Sequence, residues 1–229
     1  MHYQIAIDGP SGAGKSTLAK AVAKKLGIVY VDTGALYRTV GYFVRQAETD
    51  PKDADAVAAL LPAIDIKVRY ENGTQRVYLC GEDLGDRIRT PEMSLYASAV
   101  SAIPAVRTFL LETQKEIARE NSVIMDGRDI GTVILPDAEV KIFLTASPEA
   151  RARRRYIELT EKGQDVKYED VLREMELRDG NDRNRAVAPA VPAADAIHFD
   201  NSDMTVEEGV AALLAILKEK IPEAVGGLV

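Results

Sequence analysis

Gly9-Pro10-Ser11-Gly12-Ala13-Gly14-Lys15-Ser16-Thr17 stands between an apolar run, Ile5-Ala6-Ile7, and a helical pattern that begins at Leu18. The stretch matches G-x-x-x-x-G-K-[ST] at every position, in the strand-then-helix setting the motif needs. Glycines let such a loop bend around a phosphate, so that several N–H groups and the positive end of the following helix converge on one anion. Read this way, Gly9 to Thr17 cradles a phosphate chain, Lys15 reaches its outer phosphates, and Ser16 offers its hydroxyl to Mg²⁺ beside water and phosphate oxygens. The plain alternative is a glycine-rich turn joining a strand to a helix. Strand, loop, Lys-Ser and helix all in register argue against it.

Composition limits what such a loop serves. With 229 residues, 46% of them apolar, the chain can bury a sheet with helices on both faces. Its formal net charge of -7 argues against broad phosphate neutralisation on nucleic acid. A small anionic ligand, held by local basic clusters, is the better partner. Cys80 is the single cysteine, which excludes an intramolecular disulfide and a cysteine metal cage, and His2 and His198 lie far apart. A strand begins by about Tyr3 with no apolar leader before it, and no run approaches the roughly 20 apolar residues of a membrane span. A cytoplasmic protein without membrane or nucleic-acid partners is expected.

Outward from the loop, Tyr3–Ile7 reads as a strand, the helix runs through Lys25 with Leu18, Val22 and Leu26 on one stripe, and Ile28–Val31 reads as a second strand. This is a parallel βαβ unit, and ligands of such sheets collect at the carboxyl ends of the strands. Asp32 and Thr33 should therefore share the crevice of the loop. Asp32-Thr33-Gly34 opens a helix with Tyr37 and Arg38 on its first turns, near the crevice, although an arginine there is by itself more often a solvated surface residue.

From Asp50 to Ile103 the pattern changes. A short helix at Ala54–Leu61 is ended by Pro62, and residues Ile64 to Tyr70 then alternate apolar and polar, as a half-buried antiparallel strand does. Asn72-Gly73 signals a type I′ turn and Arg76–Cys80 a return strand. Thr90-Pro91-Glu92 reads as the start of a helix, and another runs from Pro104 to Glu120. On spacing alone, Ser98 and Arg107 read as ordinary polar groups on a helix surface.

Parallel-sheet character returns at Ser122–Met125, which ends in Asp126-Gly127-Arg128-Asp129. An acid at the end of an apolar strand is where such enzymes commonly anchor Mg²⁺. Val140–Leu144 gives another strand and Ser147-Pro148-Glu149 another helix start. That helix carries Arg151, Arg153, Arg154 and Arg155, and a second one leads to Arg178-Asp179-Gly180-Asn181-Asp182-Arg183-Asn184-Arg185. Arginine runs usually mark solvated faces. Here they bracket a helical excursion in an acidic chain, and guanidinium forks suit the charge of a transferring phosphoryl group. Residues 151–185 are read as a lid. Ala196–Phe199 reads as the last strand, and Thr205 with Glu208 as the capping box of the final helix.

Four stretches together carry a family resemblance: Ile-Asp-Gly-Pro-Ser-Gly-Ala-Gly-Lys-Ser at 7–16, Asp-Thr-Gly-Ala-Leu-Tyr-Arg at 32–38, Asp-Gly-Arg-Asp-Ile-Gly-Thr-Val at 126–133 and Asp-Arg-Asn-Arg-Ala-Val-Ala-Pro at 182–189. The chain resembles the bacterial cytidylate kinases from Ile5 to the last helix. The resemblance implies an α/β fold of the P-loop NTPase kind, three layers α/β/α around a five-stranded parallel sheet, with core segments 1–62, 103–150 and 186–229. It further implies a monophosphate-binding insertion with a small antiparallel sheet at 63–102, the arginine-rich lid at 151–185, and a monomer. The implied reaction is Mg²⁺-dependent transfer of the ATP γ-phosphoryl group to CMP or dCMP. The loop from Gly9 to Thr17 would bind ATP. Thr33, Arg107 and Asp129 would line the cytosine pocket with Tyr37 nearby, Ser98, Arg178 and Asp182 would lie at the sugar, and Arg38, Arg128 and Arg185 would hold the acceptor phosphate. Many relatives carry Ser where Thr33 stands. Lys15, Arg128, Arg185 and Arg155 are expected to serve the transferring group. A kinase for another small acceptor and a nucleotide-binding switch are the competing readings; the Asp-Arg-Asn-Arg block speaks against the first and the lack of an Asn-Lys-x-Asp guanine signature against the second.

Overall fold

The computed structural model describes residues 2–71 and 73–226. In chain order come strand β1 (Gln4–Asp8), helix α1 (Lys15–Leu26), β2 (Val29–Asp32), α2 (Thr33–Gln46), α3 (Ala54–Leu60), β3 (Ile66–Glu71), β4 (Thr74–Leu79) and β5 (Glu82–Asp83). Then follow α4 (Pro91–Ser101), α5 (Pro104–Glu120), β6 (Val123–Gly127), β7 (Val140–Thr145), α6 (Pro148–Glu161), α7 (Tyr168–Asn184), β8 (Ile197–Asp200), α8 (Val206–Lys220) and α9 (Pro222–Val225).

β1 lies at the centre of a five-stranded parallel sheet of order β2-β6-β1-β7-β8. Ile5, Ala6 and Ile7 are fully buried, as a strand covered on both faces requires. One face packs against α1 and α8 through Leu18, Val22, Leu213 and Leu217. The other is covered by α5 and the turn after β6, through Ala118, Ile130 and Ile134. Because the chain goes from β1 to β2 on one side and from β6 across to β7 on the other, the order reverses at β1 and leaves a crevice beyond its carboxyl end. Gly9 occupies that point at φ +146, where a Cβ would stand 1.9 Å from the Leu144 carbonyl oxygen. No side chain fits there, so the loop must begin with glycine.

The helix starts read from sequence have their chemical partners. Thr90 accepts from the Met93 N–H, Ser147 from the Ala150 N–H, and Thr205 and Glu208 form a reciprocal box. Pro62 does not simply end α3: a 3₁₀ turn spans Leu61–Ala63. The antiparallel unit is a three-stranded sheet, β3-β4-β5, rather than a hairpin alone, and Ile66, Val68 and Tyr70 alternate toward its covered face. Gly73 has φ +73; Asn72, the other half of the expected turn, lies outside the described residues. α6 and α7 pack on each other through Ala152, Leu159, Val171 and Met175.

Candidate functional site

Lys15, on the first turn of α1, is buried with its ammonium turned back on the loop, donating to the carbonyls of Gly9 (2.8 Å) and Pro10 (2.7 Å). Burial, then the charge of Arg128, pulls its pKa well below the ordinary lysine range against the pull of Asp126 and Asp8. One residue on, the Ser16 hydroxyl donates to Asp126 Oδ2 at 2.7 Å, and the Tyr30 hydroxyl donates to Oδ1 at 3.0 Å. Burial, reinforced by neighbouring Asp32, raises the Asp126 carboxyl. A hydroxyl and a carboxylate beside the phosphate loop make an all-oxygen donor pair that suits a hard divalent cation. Among the described residues no three acidic, histidine or cysteine side chains gather to cage a metal, so phosphate and water oxygens would complete its shell.

Asp8, at the end of β1, is buried and accepts from the N–H groups of Ile130 and Gly131, both at 2.8 Å. Burial pushes its carboxyl up to about 6. Those two bonds tie the entrance of the phosphate loop to the turn that carries Arg128 and Asp129.

Beside the loop lies a cavity of about 270 Å³ in which cations meet carboxylates. Arg38 on α2 pairs with Asp32 at 2.8 Å, Arg128 with Asp182 on α7 at 3.0 Å, and Arg185 with Asp129 at 3.2 Å. Arg107 on α5 holds the other oxygen of Asp129 and lies 5.6 Å from the centre of the Tyr37 ring. Ser98 on α4 donates to Asp182 at 3.1 Å, and Arg178 donates to the Ser11 hydroxyl at 3.2 Å. Thr33 donates to the Asp126 carbonyl at 2.7 Å. Burial acts to raise Asp182, but Arg128 and Arg178 outweigh it and hold the carboxyl below its usual range. Asp129 stays raised, because burial there exceeds the pull of Arg107 and Arg185. Burial and the neighbouring Arg128 bring Arg178 down to about 10.

All the residues expected at the acceptor line this one cavity, together with Ser11, Gly12, Lys15, Ser16 and Arg155. The rest of the phosphate loop is placed otherwise: Ala13 is packed in the core, Thr17 is exposed, and Gly9, Pro10 and Gly14 shape the backbone. Spacing misjudged Arg107. It is not a surface group, since its side chain is only 9% exposed and bonds Asp129 and the Ser101 carbonyl. The arginines of α6 also part company. Arg151 pairs with Asp179 and donates to the Ser11 carbonyl, Arg154 donates to the Asn201 carbonyl, Arg153 is exposed, and Arg155 alone lines the cavity while bonding Glu158. Sequence reasoning missed Asp8, Tyr30 and Ser101 as supports. Only the acid just before the loop, Asp8, carried a signal in its position.

The site thus sets an amide cradle with a lysine against a group of guanidiniums, which is an arrangement for two anions whose charged ends approach each other. A family model described as cytidylate kinase matches residues 5–219. A cytidylate kinase of Fervidobacterium nodosum is 51% identical over 220 residues, covering 96% of this chain and 98% of that protein. One from Caldicellulosiruptor bescii is 47% identical over 221 residues, with 96% and 98% covered. Among solved structures, an uncharacterized protein from Eubacterium ventriosum is similar at a TM-score of 0.54 and 14% identity, covering 95% of this chain and 99% of that one, a likeness of fold alone.

Proposed function

The chain belongs to the cytidylate kinase family, and from that premise we propose that it transfers the γ-phosphoryl group of ATP to CMP or dCMP, giving ADP and CDP or dCDP. The observation that carries the reading of the site is that Lys15 and the guanidiniums of Arg38, Arg128 and Arg185 line the same cavity. Amide groups from Gly12 to Ser16 would hold the β- and γ-phosphates, with the Lys15 ammonium exchanging the Gly9 and Pro10 carbonyls for phosphate oxygens. Mg²⁺ held by Ser16, with Asp126 beside it, would withdraw charge from those phosphate oxygens.

On the acceptor side, Arg38, Arg128 and Arg185 grip the monophosphate and aim one of its oxygens at the γ-phosphorus. That oxygen forms the new P–O bond as the bond to ADP breaks in line with it. The attacking phosphate is already anionic, so no general base is needed; positioning and charge neutralisation supply the catalysis. Arg155, on α6, brings further positive charge to the transferring group, and closure of α6 and α7 as a lid would keep water from the γ-phosphate. Asp129 accepts a hydrogen bond from the exocyclic amine of cytosine, as acids do toward cytosine in DNA. Uracil presents a carbonyl oxygen there and is repelled. Ser98, Arg178 and Asp182 face the sugar. No single helix among the described residues is long and apolar enough to cross a membrane.

A coupled assay of ADP release with CMP, dCMP, UMP and AMP, with and without Mg²⁺, tests the proposal. Turnover with CMP or dCMP well above UMP and AMP, and dependent on Mg²⁺, is expected. Hydrolysis of ATP indifferent to any acceptor would overturn it in favour of a nucleotide switch.

A further inference from the structure

The five-stranded sheet ends at β2, whose outer edge presents the main-chain N–H and C=O of Asp32. One side chain takes both. The Asp32 N–H donates to Gln75 Oε1 at 2.8 Å, and Gln75 Nε2 donates to the Asp32 carbonyl at 3.1 Å. A primary amide carries the donor and acceptor of one peptide unit, so Gln75, reaching from β4, continues the sheet by one residue where no strand lies. Its two partners fix which way the amide faces.

The remaining atoms of Asp32 are equally committed. Oδ1 accepts from the Ala35 N–H at 2.9 Å and caps α2, while Oδ2 accepts from Arg38 at 2.8 Å. Gln75 and Arg38 are therefore joined through a single intervening residue. Around this bridge the antiparallel sheet does not lie flat on the core: a groove of about 900 Å³ runs between Lys20 and Tyr30 on one bank and Tyr70 and Arg76 on the other, with Gln75 in its wall.

We propose that Gln75 is a positioning residue for the acceptor nucleotide, setting Asp32, and through it the Arg38 guanidinium, to the position of the antiparallel sheet. The inference rests on the reading of Arg38 as a contact to the acceptor phosphate. It assigns to the sheet a mechanical link with the acceptor side of the cavity and none with Lys15.

Gln75→Leu removes both bonds and leaves a shorter, apolar side chain. Steady-state kinetics of the purified full chain should show KM for CMP raised on the order of tenfold, KM for ATP unchanged, and a melting temperature within a few degrees of the parent, for the loss of two ordinary hydrogen bonds. In an Arg38→Ala background the same substitution should have little further effect, since two residues acting through one contact do not add. Gln75→Glu keeps the side-chain length but sets a carboxylate oxygen against the Asp32 carbonyl. It should give the same KM split, and it decides the matter if the leucine variant folds poorly. Unchanged KM for CMP, equal increases for both nucleotides, or an undiminished effect in the Arg38→Ala background would each overturn the proposal. If Arg38→Ala alone leaves KM for CMP normal, the reading of Arg38 fails and this inference with it. If Arg38→Ala raises it and the Gln75 variants do not, only the role given to Gln75 fails.

Discussion

Asp129→Asn tests base recognition more sharply than any other substitution in the cavity, because two of its effects can be separated. Asn keeps the size of the side chain and one acceptor oxygen, but removes the negative charge that faces Arg107 and Arg185, whose side chains are 9% and 6% exposed. Leaving buried guanidiniums without a counter-charge costs about 3–5 kcal/mol. For a chain of this length each kcal/mol lowers the melting temperature by roughly 2–4 °C. That loss weighs on every substrate alike. The second effect concerns cytosine alone. A hydrogen bond from its amine to a charged acceptor contributes about 1.5–3 kcal/mol, whereas an asparagine can turn its NH₂ toward the carbonyl oxygen of uracil. The ratio of kcat/KM for CMP to that for UMP should therefore fall by roughly 10- to 150-fold. Initial rates of ADP release at saturating ATP, with both acceptors and one enzyme preparation, give that ratio free of any loss of folded enzyme. An unchanged ratio, with both activities reduced together, would refute the direct reading of the base by Asp129 and leave it only a structural part.

Three further outcomes follow from particular contacts. Lys15→Ala should lower kcat by two or more orders of magnitude, about 3 kcal/mol or more of transition-state stabilisation, and hold the melting temperature within a few degrees, because burial already works against the ammonium; calorimetry beside the kinetics separates the two. Activity should fall on the acid side near pH 6 as Asp8 gains a proton and loses an acceptor for the N–H of Ile130 or Gly131. Since the folded Asp8 binds its proton more tightly than the unfolded one, its contribution to stability rises as the pH drops from about 6 toward 3.8. The loss is thus of geometry and not of fold. An unaltered acid limb in Asp8→Asn would assign it to the substrate phosphate, which also titrates near 6. Arg151→Ala breaks the pair with Asp179 and the contact to the Ser11 carbonyl, at a cost of about 3–5 kcal/mol. Faster amide hydrogen exchange across residues 148–184 and a raised KM for ATP are expected, and protection unchanged in both helices would refute the role.

Much of the architecture was legible because its signals are local. Thr90-Pro91, Ser147-Pro148 and the Thr205–Glu208 pair each announce a helix within four residues, and the continuous apolar runs of β1 and β6 mark a sheet covered on both faces. β5 escaped notice because a strand of two residues has no period. The turn Ile130–Ile134, a π-helical winding, escaped because its shape depends on Asp8, more than 120 positions away. The same distance explains Arg107. Three residues along a helix its neighbours look like those of a surface group, and only the approach of Asp129 across the fold makes its position a buried one. Gln75 had no signal at all, being one polar residue on a strand of alternating character.

The arginines around the cavity are not loose. Arg38, Arg128, Arg107 and Arg185 each lean on an aspartate of the chain itself. A guanidinium so restrained offers a visitor only its outer edge, and a stray inorganic phosphate, touching one or two such edges, gains little over water. On the proposed reading, a whole nucleotide would engage base, ribose and phosphate places together, each contact raising the effective concentration of the next. The built-in carboxylates would thus screen the crevice against fragments of the nucleotides proposed to bind there.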